Sequence, residues 1–92
     1  MYTRKVMIQN RTGFHLRAAS EFVGCAAKFG SQITIRGVND DDDDAVDAKS
    51  IVLLLTLGLG QGEEAVISAE GGDEKEAIDT LSALIESKFG ED

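Results

Sequence analysis

Residues 16–36 read LRAASEFVGCAAKFGSQITIR, and the period of the apolar positions changes once along the way. Ala19, Phe22, Val23, Ala26 and Phe29 recur at the spacing of one helical face, which predicts an amphipathic helix from about Leu16 to Phe29 with Gly30 as its stop. From Gln32 to Arg36 the period drops to two: Ile33 and Ile35 alternate with Thr34 and Arg36, the pattern of a strand buried on one face. A helix running directly into a half-buried strand marks a mixed α and β architecture.

On the N-terminal side, Lys5–Gln9 places Val6 and Ile8 on one side of a first strand. On the C-terminal side, Asn39 and Asp40–Asp44 form an acidic turn leading to a short strand around Val46, which predicts a hairpin with the Ile33/Ile35 strand. Ser50–Leu57 reads as a brief helix ended by Gly58, Gly60 and Gly62, and Glu64–Ala69 alternates as a fourth strand up to the turn Gly71-Gly72. Asp73 and Glu76 fit a capping box for a last helix whose stripe is Ala77, Ile78, Leu81, Leu84 and Ile85. Lys88 and Gly90 suit that helix's C-terminal end. The order β-α-β-β-α-β-α favours a single antiparallel or mixed sheet with helices on one face.

Ninety-two residues, 42% of them hydrophobic, supply one core and not two, so the chain is expected to be a single domain over residues 1–92. A formal net charge of −8 repels polyphosphate and anionic membrane, which argues against nucleic-acid binding. The longest apolar run, Ile51–Leu55, is far short of the roughly 20 residues of a membrane span. One cysteine, Cys25, forms no internal disulfide and reads as core packing, and the N-terminus has no signal-peptide pattern, so the expected location is cytoplasmic. No His/Cys cluster suggests a metal. The Asp run starting at Asp40 has Ala45 and Ile51 where a calcium loop needs Gly and Glu.

The sole histidine, His15, lies at the start of the first helix. A helix start presents unpaired N–H groups and the positive end of the macrodipole, which attract anions and disfavour an imidazolium. A neutral, nucleophilic His15 with the planar Arg17 guanidinium two residues on suits a phosphoryl group. Spacing alone favours a capping or solvent-exposed histidine beside a surface arginine, because a lone His-x-Arg is common. In the run Ile51–Leu57, a two-turn helix turns only part of its circumference inward. With Leu54 and Leu57 facing the core, Ile51, Val52 and Leu55 fall on another side, and with Leu16 or Phe14 they would form an exposed apolar patch.

Three segments at matching spacing carry a resemblance: Gly13–Ala19, Asp47-Ala48-Lys49-Ser50-Ile51, and Leu57–Gly62. Together they resemble the HPr family of phosphocarrier proteins of the phosphoenolpyruvate-dependent phosphotransferase system. The ending Phe89-Gly90-Glu91-Asp92 is similar to nitrogen-related members called NPr. The resemblance implies an α+β open-faced β-sandwich, a four-stranded antiparallel sheet with three helices on one face. It implies that His15 takes a phosphoryl group on Nδ1 from phosphorylated enzyme I and passes it to an enzyme IIA domain, without the chain being an autonomous enzyme or needing a cofactor. It also implies that Arg17 steadies the group, that Ser50 is a regulatory serine open to a serine kinase or phosphorylase, and that Phe14, Leu16, Ile51, Val52 and Leu55 meet the partners of a monomeric carrier. The family usually has Pro at Ala18 and often Ala at Leu16, and its acidic turn is usually shorter. A different class, a regulatory module that keeps the fold and signals by binding, shares everything but the need for the nucleophile.

Overall fold

The structure, a computed structural model, describes residues 1–90. Its elements are β1 (Tyr2–Met7), α1 (Leu16–Ala26), β2 (Gln32–Gly37), β3 (Val46–Asp47), α2 (Ile51–Leu57), β4 (Glu64–Glu70) and α3 (Glu74–Glu86). Of the ending 89–92, Glu91 and Asp92 lie outside the described residues. The strands form one antiparallel sheet in the order β1-β4-β2-β3, with Tyr2 opposite Ala69, Ile35 opposite Ile67, and Ile35 again opposite Val46. Alternation then sorts the side chains: Val6, Ile33, Ile35, Ala65, Ile67 and Ala69 are buried, while Thr3, Lys5, Thr34 and Ser68 are on the other face. On the buried side lie Phe22 and Ala26 of α1, Leu54 of α2, and Ile78, Leu81 and Ile85 of α3. The architecture is the α+β open-faced sandwich that the resemblance implied, and of the antiparallel or mixed sheet expected from the element order it is the antiparallel form.

Several boundaries shift for visible reasons. β1 starts at Tyr2, three residues ahead of expectation, because β4 offers a full-length partner. Ile8 leaves the ladder but stays buried, its N–H bonded to the Glu63 carbonyl at 2.9 Å. α1 stops at Ala26 instead of Phe29: Lys28 and Phe29 donate to carbonyls three residues back, and the Phe29 carbonyl is held by Lys49 Nζ at 2.8 Å. Likewise α3 ends at Glu86. Lys88 and Phe89 follow in the left-handed region (φ 60° and 56°), so Lys88 lies beyond the helix end instead of in its last turn. The Asp turn is exposed but not loose. Arg36, whose side chain is only 20% exposed, bonds the Gly37, Val38 and Asp40 carbonyls and reaches Asp42 at 3.1 Å.

The capping box is absent. Asp73 is the residue before α3, yet its carboxylate turns away to accept from Gly30 N (2.9 Å), Ser31 N (3.1 Å) and the Ser31 hydroxyl. Three donors on the α1–β2 turn outweigh one amide of its own helix. Glu74, not Glu76, reaches back, accepting from Gly71 N at 3.3 Å.

The Ser31 hydroxyl first, then the Gly30 amide, holds the Asp73 carboxyl below its ordinary value of 3.8. A carboxyl lowered by folding stabilises the native state above its unfolded value. That contribution is lost as pH falls through the still lower folded value. Thermal melts of wild type and Asp73→Asn from pH 5 downward should therefore converge as acid is added. A constant gap between the two curves would show that the charge at Asp73 does not matter.

Candidate functional site

His15 is the N-cap of α1, with extended backbone (φ −84°, ψ 178°) that lets its ring fold back over the first turn. Its Nδ1 accepts from Arg17 N at 3.2 Å, and its carbonyl receives Ala19 N at 2.9 Å to start the helical ladder. A backbone N–H only donates, so Nδ1 meets it with a lone pair. No acidic residue occupies the first turn of α1, which leaves its positive end uncompensated from within the helix.

The loop in front of the helix fixes where the imidazole stands. Phe14 N bonds the Leu59 carbonyl at 2.9 Å, and His15 N bonds the Gly13 carbonyl at 3.0 Å. Gly13 sits at φ +64°, and a Cβ there would lie 2.5 Å from the Leu59 carbonyl oxygen, so glycine is required by both backbone and space. Asn10, fully buried, donates from Nδ2 to the same Gly13 carbonyl at 2.7 Å.

Arg17 is at the second helical position with its side chain 68% exposed, its Nε 3.6 Å from Glu21. Ser50 caps α2: its Oγ accepts from Leu53 N at 3.3 Å, and Gly58 closes the helix in the left-handed region at φ 62°. α2 packs against α1, which brings the two helices carrying the expected site residues together.

The apolar patch divides. Leu16, Val52 and Leu55 are exposed, Val52 at 70%. Phe14 is a correction: at 5% exposed it is core, its ring edge-on to Phe22 (5.3 Å) and Phe89 (5.4 Å). Ile51 is only half-buried and packs against the core, because the first turn of α2 sits down on it. Leu57 is half-buried where it was expected inside. Leu53, exposed at 39%, was missed, since six aliphatic residues around two helical turns give no stripe from which to choose the outward ones. Asn10 was missed as well; a polar residue after a strand reads as loop. Among the described residues no group of His, Cys, Asp and Glu could hold a metal ion, and no helix is long and apolar enough to cross a membrane.

The family described as "PTS HPr component phosphorylation site" matches residues 2–87. The chain is 43% identical to the phosphocarrier protein NPr of Proteus mirabilis over 89 residues, covering 97% of this chain and 96% of that protein. It is 37% identical to the phosphocarrier protein HPr of Cupriavidus necator over 91 residues, 99% of this chain and 98% of the relative. A crystal structure of HPr-C-His from Thermoanaerobacter tengcongensis superposes with a TM-score of 0.90 at 48% identity, covering 100% of this chain and 99% of that one.

Proposed function

The chain belongs to the HPr family of phosphocarriers of the phosphotransferase system, whose members are carriers and not catalysts, and on that premise we propose that His15 is the residue that carries the phosphoryl group. The observation that supports it most is the Nδ1 lone pair held toward the α1 N-terminus by Arg17 N. In the step, Nδ1 forms the new N–P bond as the bond between phosphorus and the donor histidine of enzyme I breaks, the electron pair remaining with the donor nitrogen. The Arg17 N–H, released from the ring, turns to a phosphoryl oxygen, where the macrodipole favours the negative charge. Passage to an enzyme IIA histidine reverses the geometry. The test is incubation with phosphoenolpyruvate and enzyme I in the cytoplasmic pH range, followed by intact-mass measurement. A gain of one phosphoryl unit is expected; an unchanged mass with an enzyme I that phosphorylates other HPr proteins would sink the proposal.

Leu16, Val52 and Leu55, with Leu53, form in this reading the apolar centre that donor and acceptor use in turn, with Arg17 at its rim. Ser50 lies at the edge of that surface as a cap. A phosphate there adds nearly two charges and is tolerated by a helix start, so it leaves the fold intact while burdening docking with desolvation and repulsion of acidic partner groups. Ser50→Asp keeps a capping acceptor, so its stability should stay within about 1 kcal/mol of wild type. Phosphorylation by enzyme I should slow, and slow less at high ionic strength. Equal rates at low and high salt would remove Ser50 from regulation by a serine kinase and leave it as a cap alone.

A further inference from the structure

Asn10 is buried completely, and only one half of its amide is used: Nδ2 donates to the Gly13 carbonyl, whereas Oδ1 is enclosed without a hydrogen-bond partner. An unpaired buried carbonyl is costly, and a leucine of similar volume would avoid that cost. The one bond that Asn10 makes lands on an atom that matters elsewhere. The Gly13 carbonyl is also the acceptor for His15 N, and Gly13 N returns a bond of 3.1 Å to the Asn10 carbonyl. The Asn10 side chain therefore closes a small ring around the peptide plane that precedes Phe14 and fixes the direction from which His15 enters α1.

We propose that Asn10 is a positioning residue for phosphoryl transfer: by pinning the Gly13 carbonyl with its amide N–H, it holds the His15 backbone in the extended conformation that keeps Nδ1 over Arg17 N. The inference rests on the reading of His15 as the carrier. The donor is specific. A side chain presenting an acceptor would repel the Gly13 oxygen, and an apolar one would leave that carbonyl to His15 N alone, free to tilt. Gly13 adds to the constraint, because its left-handed backbone and its close approach to Leu59 admit no side chain at the turn.

The prediction separates positioning from stability, since Asn10→Leu fills the same space and abolishes the unpaired oxygen. That variant should melt at or above the wild-type temperature, yet exchange its Arg17 amide hydrogen several-fold faster and accept phosphoryl from enzyme I on the order of 10- to 100-fold more slowly. Should Asn10→Leu fail to fold, Asn10→Ala carries the same comparison at a temperature where it is native. The amide exchange and the ring 15N shift of His15 are read on the unphosphorylated protein. They test the positioning even if the phosphoryl group proves to sit elsewhere, and failure of the carrier reading would appear instead as labelling of a His15→Ala variant. Wild-type exchange at Arg17, or slowed transfer with an unaltered His15 ring signal, would overturn the role of Asn10.

Discussion

His15→Ala is expected to abolish the acid-labile, base-stable phosphoryl group that, on the proposed reading, enzyme I places on the wild-type chain. No other imidazole exists in the sequence, so a phosphoimidazole has no other side chain to form on. The substitution also removes the N-cap of α1, so a folding penalty of about 1 kcal/mol should accompany it. His15→Asn separates the two effects. Asn retains a capping acceptor and so most of the lost stability, but it has no nucleophilic nitrogen and should remain unphosphorylated. A base-stable label on either variant would move the carrier site away from His15.

Arg17→Ala should slow transfer by about tenfold or more, through loss of a cation that offsets charge on the moving phosphoryl group. The side chain is mostly exposed, and its contact with Glu21 is an i,i+4 pair worth roughly 0.3–0.5 kcal/mol, so the melting temperature should hardly change. The backbone N–H at position 17 survives the substitution and continues to hold Nδ1, which is why loss of rate rather than loss of phosphorylation is expected. Glu21 competes for the guanidinium in the unphosphorylated state. Glu21→Gln should thus leave transfer at least as fast as wild type; a wild-type rate in Arg17→Ala would refute the arginine's part.

The sequence announced those elements whose periodicity is local. The alternation at Ile33 and Ile35, the stripe Ala77 to Ile85 and the brief helix that Gly58 ends each depend on neighbours within a turn or two, and each is where the pattern placed it. His15 was legible for the same reason, being a lone histidine at a helix start. What escaped were positions settled by distant partners. Asp73 abandons its own helix for Gly30 and Ser31, more than forty residues away. Phe14 looked like surface beside a site until Phe22 and Phe89 enclosed its ring. Asn10 carries no pattern at all; it is interior, with its amide held inside the loop by the Gly13 carbonyl.

The strand order has a consequence for synthesis. β4, the sixth of seven elements in the chain, is the strand between β1 and β2, and β1 has it as its ladder partner from Tyr2↔Ala69 to Met7↔Glu64. An emerging chain can therefore pair only β2 with β3 until about residue 70 has left the ribosome, and the closure of so long a loop makes the joining of β1 slow relative to helix formation. The turn bearing His15 waits for the same event, because Phe14 N needs the Leu59 carbonyl, which is translated more than forty residues later. A ribosome-bound fragment shorter than that presents His15 in a loop that still lacks the Leu59 carbonyl that anchors Phe14 N.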